Sequence, residues 1–235
     1  MLPSAAHTPH RGSRRPVAPR HRRVPVGHPA RAWDGGRVRP QPLSPGADLD
    51  GVDLADVDLS GADGHDARVL ECTFTACRLD GVRLDGARLV DTSWSRVRAD
   101  ELSLARTTWW DGTLTDCRLG AVQAYGSSWT RVTVRGGKVD YLNLRESELV
   151  DVVLDGCVVD ELALGGATVR RLELRGCTVR RLDVTAARLV DVDLRGLTGL
   201  QHIEGVAGLA GSTITGDLLL ELAPALAEQL GIRVD

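Results

Sequence analysis

Between Ala47 and Leu194 the chain repeats every five residues without losing phase, and this period constrains the fold more than any other feature. One position of the repeat, the central position, occurs thirty times from Leu49 to Leu194; it is leucine sixteen times, valine seven times, tryptophan three times and phenylalanine once. The inner position, two residues earlier, is usually smaller and never charged. A fixed short period predicts similar units stacked around a continuous core.

The spacing of apolar residues within each repeat predicts short β-strands. In an α-helix a step of five residues would turn the apolar side by about 140°, so no stripe could form. Two apolar positions separated by one polar residue match the alternation of a strand, with the inner and central residues pointing inward. The flanking leading and trailing positions, just before and just after the central residue, then point outward. The corner position, two after the central residue, is often glycine, which a tight turn favours.

The repeats resemble those of the pentapeptide-repeat proteins, whose motif is A(D/N)LXX. The match covers about 150 of the 235 residues and is carried most closely by the segments ADLDG, VDLAD, VDLSG, VRLDG, ARLVD and VDLRG. The resemblance implies an all-β solenoid, a right-handed quadrilateral β-helix with four repeats, or twenty residues, in each coil.

Stacking the sequence at twenty residues gives columns that share a size. The inner column that begins Ala47, Ala67 and Ala87 stays small, and it lies on the same face as Trp109 and Trp129. Small inner residues there would leave room for the indole rings and balance the volume of each coil. At about 4.8 Å per coil, the thirty repeats predict a rod of roughly 36 Å.

All five cysteines fall on inner positions, and Cys157 and Cys177 are predicted to be neighbours in adjacent coils. Their expected separation of about 4.8 Å suits the Cα atoms of a disulfide, but stacked side chains point in parallel and would strain the bridge. We therefore predict reduced core thiols in a cytoplasmic protein. No zinc-ligand spacing, phosphate loop or nucleophile motif occurs, so the sequence predicts no metal, no cofactor and no enzyme.

The two ends depart from the repeat. Residues 1–45 hold nine of the ten prolines and nine arginines against one acid, which predicts a disordered basic tail with no signal peptide; no transmembrane stretch follows it. Residues 46–214 are expected to form the β-helix and residues 215–235 a helical cap. Thr215 is the predicted N-cap of that helix and Gly231 its stop, and Pro224 is expected to kink or split it.

The cap is expected to cover the open end of the solenoid with one apolar side. The residues predicted to form that side are Leu219, Leu222, Ala223, Leu226 and Leu230. Leu218 and Leu220 lie off it and are predicted to be available for dimerisation, and the family resemblance implies dimerisation through C-terminal ends as well.

The family resemblance also brings one functional precedent, which is mimicry of DNA by Qnr-type members that bind DNA gyrase. One trailing row forms an acidic ladder of Asp80, Asp100, Asp140 and Asp160. The leading row beside it is basic and is expected to neutralise the ladder. B-DNA carries one charge per about 1.7 Å, so a mimic of this length would need on the order of twenty net negative charges. Residues 46–235 hold 20 basic and 31 acidic residues, a net charge of −11.

A different trailing row is unexpectedly apolar. On the face that holds Trp109 and Trp129 at the central position, five large apolar residues fall in one outward line, whereas the other faces carry mainly polar or small residues there. These five residues are Leu70, Val90, Trp110, Val150 and Val190. The corner position beside them alternates from Asp111 to Asp191 between aspartate and arginine. An exposed apolar line of this kind is typical of an interaction surface, so we predict that it binds a protein partner or a second subunit.

The sequence thus favours a non-enzymatic scaffold for protein–protein interaction. The alternative is a DNA-mimicking, gyrase-binding protein that protects from quinolones or a toxin. A further alternative is binding of nucleic acid by the arginine-rich tail of residues 1–45, for which a solvated extension is the simpler interpretation.

Overall fold

A β-helix with four faces, closed at its C-terminal end by one α-helix, is formed by residues 43–234, the part of the chain that the computed structural model describes. Strands pair in parallel at a spacing of twenty residues, as in Asp48↔Arg68 and Arg118↔Lys138, with one exception in the last coil. The all-β solenoid with a capping helix that the period predicts is therefore confirmed.

The strands are short and lie at the expected positions of the repeat. In chain order they are β1 (Asp48–Asp50), β2 (Asp53–Ala55), β3 (Arg68–Leu70), β4 (Thr73–Thr75), β5 (Val82–Arg83), β6 (Arg88–Val90), β7 (Ser93–Ser95), β8 (Arg98–Ser103), β9 (Thr108–Trp110), β10 (Thr113–Thr115), β11 (Arg118–Gln123), β12 (Ser128–Thr130), β13 (Thr133–Arg135), β14 (Lys138–Asn143), β15 (Glu148–Asp155), β16 (Val158–Ala163), β17 (Thr168–Arg175), β18 (Cys177–Asp183), β19 (Arg188–Val190), β20 (Val192–Asp193), β21 (Leu197–Thr198), β22 (His202–Glu204) and β23 (Ser212–Thr213).

Four faces follow from this order. Faces 1, 2, 3 and 4 hold the central residues that recur every twenty positions from Leu49, Leu54, Leu59 and Gly64 respectively. One 15-stranded sheet covers faces 1 and 2, and one 8-stranded sheet covers faces 3 and 4. Strands β15 and β17 run around the corner between faces 1 and 2 without a break, as β8, β11, β14, β16 and β18 do between faces 3 and 4.

The core is a column of inner and central side chains with an aromatic stack in its middle. Phe74, Trp94, Trp109 and Trp129 are buried, and successive ring centroids lie 5.4, 5.2 and 5.3 Å apart. The small inner residues of face 1 are buried beside the indoles, and Ser127 satisfies its hydroxyl by donating to the Ala124 carbonyl at 2.6 Å.

Many corners adopt a left-handed backbone whether or not they are glycine. Within residues 43–234, fifteen residues other than glycine have positive φ, and all occupy the corner position. Glu71, with φ 50°, donates its backbone N–H to the Val90 carbonyl of the next coil at 2.9 Å, and Asp111 does the same to Thr130 at 3.1 Å. These bonds between coils offset the cost of a left-handed conformation.

The period ends at the last coil. β21 still pairs at a spacing of twenty, but β22 pairs at twenty-one, as in Arg181↔His202. A 3₁₀ turn, Val206–Leu209, then takes the place of a strand, and β23 returns to twenty.

Helix α1, Gly216–Gln229, lies on this end. The Thr215 hydroxyl accepts from the Leu218 N–H at 3.1 Å and caps the helix, and Gly231 has φ 68° just beyond it. Pro224, which was expected to kink or split the helix, does not split it, because α1 continues through it. Pro224 and Leu220 are both exposed, so the carbonyl that loses its partner can bond water instead.

Candidate protein-interaction surface

The outer side of face 1 carries the apolar row, defined as Leu70, Val90, Trp110, Val150 and Val190. Strand pairing stacks its members in one column, through Leu70↔Val90, Val90↔Trp110 and then Thr130 to Val150. Arg170 separates Val150 from Val190. Trp110 is 38% exposed and Val190 43% exposed, while the other three are partly buried.

Trp110 makes a cation–π contact with Arg88. The Arg88 guanidinium lies 5.2 Å from the centroid of its ring, one coil away on the leading row of the same face. At a partly exposed site such a cation–π contact stabilises by about 0.5–1 kcal/mol. The pair therefore presents a preorganised aromatic and basic group to solvent, a combination enriched among residues that dominate binding energy.

Charged corners border the apolar row on one side. Arg131 donates to both oxygens of Asp111 at 2.6 and 2.7 Å, and Arg171 donates to both oxygens of Asp151 at 2.5 and 2.9 Å. The hydrogen bond and charge of Arg131 lower the pKa of Asp111, and those of Arg171 lower the pKa of Asp151. The expected ladder of alternating charges thus forms two bidentate ion pairs. Because these pairs are exposed, they orient the charges beside the apolar row more than they stabilise the fold.

The acidic ladder lies on face 3 and is largely paired. Asp80 accepts from Arg78 at 2.6 Å and from the Asp100 N–H at 2.8 Å, and these bonds lower its pKa. Lys138 lies 2.6 Å from Asp140 and 3.2 Å from Asp160.

Two shallow grooves on face 3, of about 560 and 470 Å³, are lined by both signs of charge. The larger is lined by Arg78, Arg96 and Arg98 together with aspartates, and the smaller by Arg118 and Lys138 together with aspartates. Face 3 is therefore a mixed surface rather than an acidic one.

The cysteines lie in the core. All five are free and buried. Burial raises the pKa of Cys72, Cys77 and Cys117, so these thiols are poor nucleophiles. Among residues 43–234 no group of three or more His, Cys, Asp or Glu side chains could hold a metal ion. Within the same residues, no helix has the length and apolar character needed to cross a membrane.

Helix α1 faces the core with a side that overlaps only partly with the one predicted, sharing Leu222 and Leu226 with it. Leu218 and Leu222 are buried and Leu226 is partly buried, whereas Leu219 is 48% and Leu230 72% exposed. The prediction that Leu218 is available for dimerisation is wrong, because the Thr215 cap orients the first turn so that Leu218 packs on the last coils. Leu220, at 74% exposure, lies at the surface as expected.

One polar cluster on face 4 was not predicted. Arg145 donates to Asp183 at 2.9 Å and to the Tyr141 hydroxyl at 2.7 Å. The bond to Asp183 crosses the intervening coil at Gly165. A Cβ at Gly165 would lie 3.1 Å from the Asp183 carboxylate, so this glycine leaves the space that the pair fills. The sequence signal for this cluster was Gly165, a single glycine in an outward row. It indicates the pair only when Arg145 and Asp183, 38 residues apart, are compared.

Comparison with known proteins finds one family model and several solved structures that are similar to this chain. A family model described as pentapeptide repeats (8 copies) matches residues 46–81. Full-length QnrB1, a plasmid-mediated fluoroquinolone resistance protein, is 17% identical over 77% of this chain and 100% of its own, with a TM-score of 0.43. HetL, a pentapeptide repeat protein involved in heterocyst differentiation regulation from the cyanobacterium Nostoc sp. strain PCC 7120, is 20% identical over 72% of this chain and 87% of its own, with a TM-score of 0.22. No curated protein matches.

The family model covers residues 46–81, and the five-residue period and the twenty-residue register of the coils continue beyond it, so in its repeat this chain is similar to pentapeptide-repeat proteins.

Proposed function

We propose that this protein is a non-enzymatic scaffold that binds a protein partner through the apolar row of face 1. The observation that carries the proposal is the column of five large apolar side chains on an outward row, with Trp110 and Val190 substantially exposed. An outward row of large apolar side chains is uncommon on soluble proteins unless it binds something. The five buried thiols favour a cytoplasmic location for this scaffold.

Affinity capture with a paired substitution tests this function. Trp110→Asp combined with Val150→Asp places two charges on the apolar row, and we expect it to abolish capture of the partner. A matched control, Thr115→Asp combined with Val153→Asp, places the same charges on partly buried outward positions of face 2. Both variants should keep the circular dichroism of the native protein. Unchanged capture and unchanged oligomeric state in the first variant would contradict the proposal.

Binding to DNA gyrase is the second candidate, and it is supported by the first coils alone. Residues 46–67 contain seven acids and no lysine or arginine, and the first three of these, Asp48, Asp50 and Asp53, are exposed. The pairing of charges on face 3 argues against mimicry along the whole rod. A supercoiling assay with purified gyrase separates the candidates, because a mimic inhibits the enzyme or protects it from quinolones and a general scaffold leaves it unaffected.

Two further interactions remain proposals. Dimerisation through α1 now depends on Leu220 rather than on Leu218, and Leu220→Asp should abolish it. The basic tail predicted for residues 1–45 falls, except for residues 43–45, outside the described residues. If it binds nucleic acid, deleting it should remove both the binding and its salt dependence.

A further inference from the structure

The charges on the outward rows of face 1 are arranged so that a second copy, turned end to end, would set acidic residues against basic ones. Each coil contributes a leading, a trailing and a corner residue, and strand pairing keeps these three rows in register from Asp48 to Val190. Acids dominate the first coils, whereas arginines are concentrated in the last ones. A surface with this polarity suits an antiparallel arrangement, in which acidic coils face basic ones.

We infer that the partner of the apolar row is a second copy of this chain, which lies antiparallel on face 1. This inference rests on the proposed function of the row. A two-fold axis parallel to the strands places each row against the same row of the other copy, reversed. The trailing row, which carries the apolar row, then faces itself in reverse, as a two-fold interface requires. A two-fold axis along the rod would instead place the trailing row of one copy, which holds the apolar residues, on the polar leading row of the other.

The charges select one register. With the axis between the coils of Trp110 and Thr130, Val90 faces Val150 of the second copy. In the same row Trp110 faces Thr130, Leu70 faces Arg170 and Val190 faces Asp50. Four kinds of opposite-charge pair then face each other, and each occurs twice. They are Asp48 with Arg188, Glu71 with Arg171, Arg88 with Glu148, and Asp111 with Arg131. One kind of like-charge pair, Asp91 with Asp151, remains, and it also occurs twice.

Neighbouring registers oppose more like charges. An axis through the coil of Trp110 sets Asp111 against its own symmetry mate and Glu71 against Asp151. An axis through the coil of Thr130 sets Arg131 against its symmetry mate and Arg68 against Arg188. Like charges directly opposed on facing surfaces are destabilising, so the register between these two coils is favoured.

The size of the face predicts a weak dimer. Eight coils at about 4.8 Å and a strand width of roughly 12 Å give a footprint on the order of 450 Å² per copy. A standard-size interface buries about 800 Å² per partner. We therefore expect a dimer that dissociates on dilution and weakens in high salt, because several of its pairs lie at an exposed rim.

Sedimentation of the full chain from about 1 µM to about 200 µM tests the inference. The native protein should shift from monomer to dimer, and Trp110→Asp should weaken association at least about tenfold. Arg88→Glu and Glu148→Arg should each weaken it, and the double exchange should restore it. The two residues lie three coils, or roughly 14 Å, apart in one copy, so restoration reports a contact between copies.

Each outcome separates the inference from the function on which it rests. If the native protein stays monomeric while Trp110→Asp abolishes capture of another protein, the scaffold function stands and the second-copy inference is overturned. Loss of the dimer in Leu220→Asp, with Trp110→Asp unaffected, would assign the dimer to α1 and also overturn it. If the native protein is monomeric and Trp110→Asp captures the same partners as Leu220→Asp, the proposed function is contradicted as well.

Discussion

At the scale of single residues, the buried tryptophans differ in what their indole N–H groups meet. Trp109 Nε1 donates to the Thr92 hydroxyl at 2.9 Å, seventeen residues earlier. The residue seventeen before Trp129 is Gly112, which has no hydroxyl, and Trp129 Nε1 has no hydrogen-bond partner within residues 43–234. The same indole is therefore satisfied in one coil and unsatisfied in the next.

Thr92→Val is expected to destabilise the protein. It keeps the volume of the side chain but leaves the Trp109 N–H unpaired in the core, which costs about 1–3 kcal/mol. Thr113→Val, at a partly buried outward position, should change the free energy of unfolding by less than about 0.5 kcal/mol. Chemical denaturation measures both, and a Trp109→Phe background should remove most of the difference. Equal effects of the two valines would contradict this account.

Two glycines on the surface should respond differently to alanine. A Cβ at Gly120 would lie 2.2 Å from the Asp100 carbonyl oxygen of the preceding coil, so the coils would have to separate there. Gly156 has φ +64° and nothing within 4 Å of its Cβ position, so alanine there meets only backbone strain of about 1–2 kcal/mol. We expect Gly120→Ala to lower the melting temperature more than Gly156→Ala, and the reverse order would refute the close contact.

At the scale of elements, α1 covers a solenoid end whose strand edges would otherwise be open to pairing with another chain. Its buried side is set by the Thr215 cap and by the 3₁₀ turn beneath it, not by the apolar residues of the helix alone. Leucines occur on several sides of α1, so the helical pattern by itself allows more than one orientation.

The orientation of α1 can be checked with two neighbouring leucines. Leu218→Ala should destabilise the protein by about 2–4 kcal/mol, because it leaves a cavity under the helix. Leu220→Ala, at an exposed position, should have an effect below about 0.5 kcal/mol. Thermal unfolding at low protein concentration measures both without a contribution from association. Similar values for the two variants would mean that the helix is rotated from the orientation described.

At the scale of the whole molecule, the free energy of unfolding should depend on pH, because some carboxylates form ion pairs between coils. Burial raises the pKa of Asp183, but hydrogen bonds from Thr185 and Arg145 outweigh this effect and lower it below its ordinary value. A carboxyl group whose pKa is lower in the folded than in the unfolded state stabilises the fold above the unfolded pKa of about 4. That stabilisation is lost as pH falls through the folded pKa.

We therefore expect the melting temperature to be level from about pH 7 to pH 5 and to fall below about pH 4. Arg145→Met should lower it at pH 7 and make the acid decrease shallower, because the bridge to Asp183 is already lost. Arg135→Met, which removes an exposed partner of Asp155 at 3.4 Å, is the matched control and should leave the profile close to native. An Arg145→Met profile parallel to that of the native protein would contradict the role of this bridge.

Much of the architecture could be predicted from the sequence because the repeat keeps phase. Once each coil has twenty residues, counting in steps of twenty places Trp110 and Val150 on one outward row. The same counting places the cysteines in the core and a basic row beside Asp80. The side of α1 that packs on the core and the bridge from Arg145 to Asp183 could not be predicted, because neither obeys the period.

The sequence by itself determined the solenoid, its four faces and the residues of each outward row, because a strict period makes a local pattern of alternation hold along the whole rod. Only the tertiary structure decided which charges pair, where the rod ends and how the helix sits on it. Those features depend on side chains that reach between coils and on the loss of register after Leu197, and no repeat encodes either.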